Sequence, residues 1–347
     1  MNLKEIFTQE GNIVTVNYLD TEVTFSMPDY FNIDDVSEDL KRLSLILLFY
    51  PIDKTLMNYK FTRKSAGDKI GLAFSGGVDS VAASALLPKD KLVLFHHKRI
   101  INSPTLYKHE NPMFVIEHHP DDVLIIESNL EDIRLKTGKM VGFLNDFSFY
   151  GGVVLLADYL KLGYLSTGMM LESTYIKGGY EYRDFHNSSY FDRWFTFFKD
   201  ANLPLFFPCI PCSEVLNNKI VKDNNLVAQS CIRGIDGKGC GACYKCFRKK
   251  LFNGELIEDY RSHLEINKFI NARPLKQGAS LIYGMKKGNF DIPELAEYKD
   301  LNVDFLEDYF EYTLNSIPEE YRDYLRNELN KYASLNSDIN ILKNFKL

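Results

Sequence analysis

The chain has 347 residues, of which 45% are hydrophobic, and a formal net charge of -6. This length is sufficient for one large core with appendages or for two domains, and the mildly acidic balance argues against a scaffold that binds nucleic acid over its whole surface. The sequence has no run of about 18 apolar residues and no basic-then-apolar signal pattern in MNLKEIFTQEGN, so we expect a cytoplasmic protein without a membrane span.

Residues 1–65 are predicted to form an N-terminal accessory region of mixed α and β structure. The segments NIVTVNYL and EVTFSM alternate apolar and polar residues, as half-buried strands do. The segment DDVSEDLKRLSLILLFY then combines acidic residues at its start with an apolar remainder, which is typical of a helix.

Residues 66–255 are predicted to form an α/β domain around a parallel sheet, because short apolar segments alternate with helical ones. The predicted strands are KIGLAF, KLVLFHH, DVLIIES and YLSTG. The predicted helices are VDSVAASALL, FSFYGGVVLLADYLKLG and FDRWFTFFKD. Residues 256–347 are predicted to form a C-terminal helical extension that includes LNVDFLEDYFEYTL and PEEYRDYLRNELNKYASL.

The stretch FSGGVDS, residues 74–80, connects the first of these strands to its helix. Ligands bind at this carboxyl edge of a parallel sheet. Gly76 and Gly77 allow backbone N–H groups to converge on an anion, and the start of the helix adds positive charge. Ser75 and Ser80 add hydroxyl donors, whereas Asp79 would repel a bare phosphate and therefore indicates a bridging magnesium ion. No GK[ST] follows, which excludes a Walker loop, and the alternative is a tight turn capped by a side chain.

All six cysteines lie between residues 209 and 246, and such clustering favours a metal site over scattered disulfides. The array C-x8-C-x2-C-x2-C, in a segment spanning residues 205–250, can close a tetrahedral zinc site, and an iron–sulfur cluster is the alternative. The predicted ligands are Cys231, Cys240, Cys243 and Cys246. Cys209 and Cys212 form a further pair, which is either two small residues on a proline-rich turn or a redox or metal-binding pair.

The loop resembles the SGGxDS pyrophosphate loop of the N-type ATP pyrophosphatases, the PP-loop family with its adenine nucleotide alpha hydrolase-like fold. Combined with the cysteine array, it resembles QueC, the 7-cyano-7-deazaguanine synthase family, over residues 66–255. The resemblance implies that ATP binds at the loop and that zinc binds the cysteines. It implies a nucleotide-binding set of Ser75, Gly76, Gly77, Val78, Asp79 and Ser80, and a catalytic set of Ser75, Asp79, Ser80 and Arg248.

The activity that the resemblance implies is adenylation of the carboxylate of 7-carboxy-7-deazaguanine, with release of pyrophosphate. Ammonia then gives an amide, and a second ATP converts the amide to a nitrile. The segments that follow the second and fourth strands depart from the family. FLNDFSFY, with Asn145 and Asp146, replaces a PxRN-like stretch, and Tyr180, Arg183 and Asp184 correspond only loosely to its substrate segment.

These departures and the long flanks suggest a specialised relative, such as those in bacterial antivirus gene clusters, in which the acid is passed to a protein amine. The flanks are interpreted as decoration or a homodimer interface, with docking of a partner protein as the alternative. Two other functions stay open. One is a tRNA-modifying enzyme of the thiolation type, and the other is a non-catalytic nucleotide-binding module.

Several polar residues are candidates for the same edge of the sheet. His96 and His97 end the second strand, where they could be metal ligands, general bases or ordinary strand-end residues. Glu172 follows the fourth strand as a candidate for holding magnesium or a purine-like substrate, with a surface role as the alternative. The cationic candidates for contact with a carboxylate or phosphates, with solvated surface charges as the alternative, are Lys177, Arg183 and Arg193.

Overall fold

A computed structural model describes residues 2–64 and 67–347 of the chain. Its centre is a seven-stranded sheet whose strands are β1 Phe7–Glu10, β2 Ile13–Tyr18, β3 Thr21–Ser26, β4 Lys69–Ala73, β5 Leu92–Arg99, β6 Val123–Ser128 and β7 Leu162–Ser166. The order in space is β1-β2-β3-β6-β5-β4-β7. The last four of these pair in parallel, which confirms the predicted α/β class with parallel strands.

The N-terminal strands extend this same sheet. The antiparallel strands β1, β2 and β3 join it through the pairing of Phe25 in β3 with Ser128 in β6. Both strands predicted in this region are present, whereas β1 was not predicted. The alternation of β2 and β3 buries Val14, Val16 and Val23 completely, and the core that they enter runs without interruption into the rest of the molecule.

The helices surround the sheet and form most of the C-terminal part. They are α1 Leu3–Ile6, α2 Glu38–Phe49, α3 Val78–Leu86, α4 Glu110–Glu117, α5 Ser189–Asp200, α6 Glu214–Asp223, α7 Tyr244–Phe252, α8 Leu264–Ile270, α9 Gly278–Lys287, α10 Glu319–Leu329 and α11 Asn340–Lys343. Within the described residues, every helix is too short or too polar to cross a bilayer. Two small sheets complete the fold, formed by β8 Ile176–Lys177 with β9 Glu181–Tyr182 and by β10 Tyr309–Phe310 with β11 Leu335–Asn336.

The long helix predicted from FSFYGGVVLLADYLKLG is wrong. The segment forms two short 3-10 turns, Ser148–Tyr150 and Val153–Leu156, and its last residues already belong to β7. The glycine pair between the turns packs against the sheet and α2. A Cβ atom on Gly152 would lie 2.9 Å from Cδ1 of Phe25, so close packing of the backbone replaces a regular helix.

The helix predicted from LNVDFLEDYFEYTL is also interrupted. Strand β10 divides it into the 3-10 turns Asp304–Glu307 and Glu311–Ser316. The helix predicted from PEEYRDYLRNELNKYASL is present as α10, but it ends at Leu329 because the following residues turn to supply β11. Pairing between two distant short strands thus overrides the local helical pattern.

The strand order leaves a crevice above β4. The chain passes from β4 to β5 and β6 on one flank of β4, and it then crosses to β7 on the other flank of β4. Loops after β4 and β7 therefore diverge at the carboxyl edge, where α/β sheets bind ligands. Residues 74–80 leave β4 at this position and lead directly into α3.

Candidate functional site

The loop of residues 74–80 owes its shape to Gly76. Its φ of +74° lies in the left-handed region that favours glycine. A Cβ atom there would lie 3.1 Å from Cβ of Val115 and 3.4 Å from Cα of Pro112, both in α4. Gly76, one of the two glycines predicted to let backbone N–H groups converge on an anion, therefore also permits close contact with a neighbouring helix.

The backbone amides of the loop are partly engaged by serine hydroxyl groups. The amide of Ser75 donates to Oγ of Ser80 at 3.2 Å, and that of Val78 donates to Oγ of Ser230 at 3.1 Å. The amide of Gly77 donates to Oγ of Ser75 at 3.4 Å. Oγ of Ser80 in turn donates to the carbonyl of Gly77 at 3.0 Å and lies 3.1 Å from Oγ of Ser75, so these hydroxyls form a network within the loop. In the loop of residues 74–80, the amides that have no acceptor among the described residues are those of Gly76, Asp79 and Ser80.

Asp79 lies half-buried in the first turn of α3 and lines the cleft beside the loop. Its Oδ1 accepts a hydrogen bond at 2.9 Å from Nδ2 of the fully buried Asn217 in α6. Burial raises the pKa of Asp79 above its usual range, although Lys249 acts in the opposite direction. A single carboxylate provides too few ligands for a magnesium ion that is held by the protein alone. It suits a magnesium ion that is also bound by nucleotide phosphates.

The cleft has two lobes that meet at the loop. The first lobe has a volume of about 320 Å³ and the second about 510 Å³, within the range of small-molecule sites. The residues shared by both lobes are Ser75, Asp79, Ser80, Phe149 and Thr167. Gly168 follows Thr167 at the end of β7, and a Cβ atom there would lie 2.5 Å from the carbonyl carbon of Asp79. The glycine thus allows the end of β7 to contact the first turn of α3.

The first lobe is largely aromatic and contains the two predicted histidines. Burial lowers the pKa of His96 to about 4 and that of His97 to about 3, so both imidazoles are neutral at pH 7. Arg99 lies in the same lobe, where Glu131 forms an ion pair with it and its guanidinium lies 4.1 Å from the ring centre of Tyr107. A mainly apolar lobe with a few fixed polar groups suits a flat organic ring.

The second lobe is more polar. Its lining includes Asp146, which accepts a hydrogen bond at 2.9 Å from Oη of Tyr190, and Arg183. The guanidinium of Arg183 donates to the carbonyl groups of Thr174 and Ser173 at 2.9 and 2.8 Å, which fixes its position. The other two predicted cations contact residues outside the cleft: Lys177 bonds Glu181, and Arg193 bonds Tyr50.

The four cysteines of the array come together, as predicted. Their Sγ atoms all lie within 4.8 Å of one another, and the pairs Cys231–Cys243 and Cys240–Cys246 are 4.0 and 3.9 Å apart. Four sulfur atoms bound to zinc at about 2.3 Å would lie roughly 3.8 Å apart in a tetrahedron, so the arrangement fits a zinc site. Three of the cysteines are buried and Cys240 is exposed.

Two residues with side-chain amides, neither of which was predicted as a site residue, hold the zinc knuckle together. The zinc knuckle is defined here as residues 229–246. The fully buried Asn111 donates to the carbonyl groups of Cys231 and Lys238 at 2.8 and 3.1 Å. Gln229 accepts from the amide of Cys231 through its side chain, while its own backbone amide donates to the carbonyl of Gly76 at 2.8 Å. Residues 229 and 230 thus connect the knuckle directly to the loop.

Arg248 and Glu172 lie in the core. Arg248 is 5% exposed, forms an ion pair with Glu214 and bonds Oγ of Ser280 at 3.0 Å, and it is not among the residues that line either lobe. Both carboxylate oxygens of Glu172 accept from the amide of Glu214 at 3.0 Å. Both residues therefore bond other residues of the core, and a direct role of either one in the cleft stays a prediction.

Cys209 and Cys212 are separate from the zinc knuckle and fully buried. Burial raises the pKa of both thiols, and Sγ of Cys209 donates to the carbonyl of Asp79 at 3.5 Å. Reactive cysteines have lowered pKa values and are partly exposed. The environment therefore favours the interpretation as small core residues beneath the loop.

Comparison with known proteins gives one partial match. Residues 193–342 match the model of DUF6395, a family of unknown function. The match begins within α5 and includes α6 to α10 and the zinc knuckle, but it covers less than half of the chain and leaves out the loop of residues 74–80. No curated protein matches the chain.

Proposed function

We propose that this protein is an ATP-dependent enzyme that adenylates a carboxylic acid and transfers the acyl group to a nitrogen nucleophile, with release of AMP and pyrophosphate. The observation that carries the proposal is the position of SGGVDS: it leaves the central parallel strand where two lobes of one cleft meet. Because the reaction joins two substrates at the α-phosphorus, it needs this arrangement.

Each part of the cleft has a place in the reaction. The aromatic first lobe suits adenosine, and the loop with the start of α3 suits the phosphates. The second lobe, with Arg183 and Asp146, suits a polar acid. The resemblance to the 7-cyano-7-deazaguanine synthase family makes 7-carboxy-7-deazaguanine the substrate that we propose, with ammonia or a protein amine as the acceptor.

In the proposed reaction, a carboxylate oxygen attacks the α-phosphorus of ATP and the bond from that phosphorus to the bridging oxygen of pyrophosphate breaks. The amides of Gly76, Asp79 and Ser80 and the nearby hydroxyls stabilise the negative charge that grows on the departing group. Asp79 would hold a magnesium ion, which neutralises phosphate charge when bound. The two lobes contribute by positioning the reactants, and the zinc knuckle supports the wall of the first lobe.

A second candidate is a non-catalytic nucleotide-binding module. Serine hydroxyls already engage several loop amides, and FLNDFSFY offers no arginine for the phosphates. The Nδ2 atom of Asn145 instead bonds the carbonyl groups of Leu47 and Tyr50 at 2.8 Å each. Such a module would bind ATP without splitting it. A thiolation enzyme is less well supported, because the thiols of Cys209 and Cys212 are buried.

The test is to incubate the purified protein with ATP, magnesium and 7-carboxy-7-deazaguanine, with and without ammonium, and to identify products by phosphorus NMR and mass spectrometry. AMP and pyrophosphate formed only when the acid is present support adenylation. ATP binding without any cleavage supports the nucleotide-binding module. Pyrophosphate release that requires tRNA in place of the acid would point to the tRNA-modifying alternative.

A further inference from the structure

His96 has one ring nitrogen bonded and one without a partner. It lies in β5 with 4% of its surface exposed. Its Nδ1 is 2.9 Å from the carbonyl oxygen of Phe74, the first residue of FSGGVDS. Its Nε2 is buried and has no hydrogen-bond partner among the described residues, although the side chain lines the first lobe.

The bond to Phe74 fixes the tautomer of His96. A carbonyl oxygen can only accept, so Nδ1 carries the proton and Nε2 of the neutral ring presents a lone pair. Burial lowers the pKa of His96 to about 4, which keeps the ring neutral at pH 7. At Nε2 the imidazole can therefore only accept a hydrogen bond, so this atom cannot pair with a phosphate or a carbonyl group.

The position of this acceptor is tied to the loop. The amide of Phe74 donates to the carbonyl of Phe95 at 2.7 Å, while its carbonyl accepts from His96, so adjacent residues of β5 hold the end of β4 from two sides. The lining of the same lobe includes Phe74, Phe95 and Phe149. An unpaired acceptor among aromatic rings is costly, so a ligand donor that reaches it gains both a bond and specificity.

We propose that His96 is a specificity-determining residue for the nucleotide, and that its Nε2 accepts a hydrogen bond from an N–H or O–H group of the nucleoside in the first lobe. This inference rests on the proposed ATP-dependent function. The donor is either the 6-amino group of adenine or a ribose hydroxyl. In inosine triphosphate (ITP) a carbonyl oxygen replaces the 6-amino group and would face the lone pair of Nε2.

The test compares His96→Asn with His118→Asn. An asparagine amide can take the place of Nδ1 and keep the bond to Phe74, but it offers nothing at the position of Nε2. His118 makes the same kind of bond, from Nδ1 to the carbonyl of Phe114 at 2.7 Å, but lies exposed and outside the lining of the cleft. Calorimetry would measure binding of ATP, ITP, 2′-deoxy-ATP and 3′-deoxy-ATP with magnesium, while circular dichroism and zinc content check the fold.

We expect His96→Asn to bind ATP about tenfold more weakly and His118→Asn to bind it like the wild type. If the 6-amino group is the donor, the wild type should bind ITP about tenfold more weakly than ATP. If a ribose hydroxyl is the donor, the wild type should instead bind one of the two deoxy-ATP analogues about tenfold more weakly than ATP. His96→Asn should not discriminate against that analogue. Wild-type affinity in His96→Asn, or equal wild-type affinity for all four nucleotides, overturns the inference but not ATP binding. A wild type that does not bind ATP overturns both.

Discussion

Asp79 is the residue on which the proposed chemistry depends most. Its carboxylate is held by Asn217, from an α6 helix that begins more than 130 residues later in the chain. That contact fixes the side chain at the junction of the two lobes while leaving Oδ2 without a partner among the described residues. In the proposed function, Asp79 is thus an oriented acidic ligand rather than a simple helix cap.

We expect Asp79→Asn to lower pyrophosphate release by a factor of about 100 or more, because the substitution removes the only loop carboxylate that could hold magnesium against the phosphates. An amide can retain the contact with Asn217, so the melting temperature should change little. The measurement is a coupled pyrophosphate assay. Asp158→Asn, at an exposed carboxylate paired with Arg63, is the matched control and should keep full activity. Wild-type turnover in Asp79→Asn would remove the loop from the mechanism.

The buried Glu172 predicts a dependence of stability on pH. Burial, aided by Glu214, raises its pKa from 4.5 to about 8. The folded protein therefore holds this proton more tightly than the unfolded chain, so the contribution is complete below pH 4.5 and is lost as the pH rises through 8. Asp79 is shifted in the same direction. The pKa of Glu214 is lowered by Arg248 and Lys249 despite burial, so its effect is confined to acid.

We expect the midpoint of urea unfolding to fall between about pH 5 and about pH 9, and Glu172→Gln to reduce that slope, because its side chain cannot ionise. Denaturation curves across this range measure the effect. The control is Glu181→Gln, at a partly exposed carboxylate paired with Lys177. If Glu172→Gln keeps the wild-type slope, the titrating group lies elsewhere.

At the scale of elements, hydrogen bonds join the zinc knuckle directly to the loop of residues 74–80. The hydroxyl of Ser230 accepts from the amide of Val78, and the backbone amide of Gln229 donates to the carbonyl of Gly76. The side chain of Asn111, in the first turn of α4, bonds the backbone of the knuckle at Cys231 and Gly237. Removing a metal ion from the four cysteines should therefore disturb the proposed nucleotide site as well as the knuckle.

We expect the wild type to contain one zinc ion per chain, and Cys243→Ser to lose zinc, melt at a lower temperature and bind ATP at least tenfold more weakly, because the site needs four thiolates. Mass spectrometry of metals and calorimetry measure these effects. Cys212→Ala, at a buried cysteine outside the array, should keep its zinc. Iron and sulfide in anaerobic protein would instead indicate a cluster.

The comparison of elements with the sequence shows what local patterns can predict. The parallel strands, α3 and the cysteine array were predictable because each depends on neighbouring residues in the chain. The helix predicted over residues 147–163 failed because Gly151 and Gly152 pack against Leu48 and Phe25, contacts that span about 100 residues. Asn111 and Asn217 carry no local signal, since each side chain bonds a residue that is distant in the sequence. The side chain of Gln229 bonds residues of the knuckle itself, Cys231 and Gly237. Glu172 and Arg248 occur close to the predicted site in sequence, but the tertiary fold buries them.

At the scale of the whole molecule, the N-terminal strands and the site share one core. Phe25 is fully buried, pairs across to β6 and contacts the glycine pair that precedes β7. A region of residues 1–65 that folded separately would not have these contacts. The molecule should therefore unfold its N-terminal strands and its cleft together.

We expect Phe25→Ala to destabilise the fold by about 3–5 kcal/mol, the usual cost of truncating a buried phenylalanine. The fluorescence of Trp194, the only tryptophan, reports on the core beside Tyr50 and Phe147, well away from residue 25 in sequence. In Phe25→Ala, the unfolding transition that this fluorescence reports should move to a lower urea concentration. Tyr30→Ala, at a side chain that is 61% exposed, should leave it in place. An unchanged Trp194 transition in Phe25→Ala would mean that the N-terminal strands unfold independently.

The contact between Val78 and Ser230 has a consequence for biosynthesis. A nascent chain that has emerged from the ribosome as far as Ser166 already contains every strand of the central sheet. Yet the hydroxyl that receives the amide of Val78, and the thiols that anchor it, are more than 60 residues short of being translated. The loop after β4 is therefore translated well before the residues that hold it. A product truncated before Ser230 would have the complete sheet but would lack the contact that holds the amide of Val78.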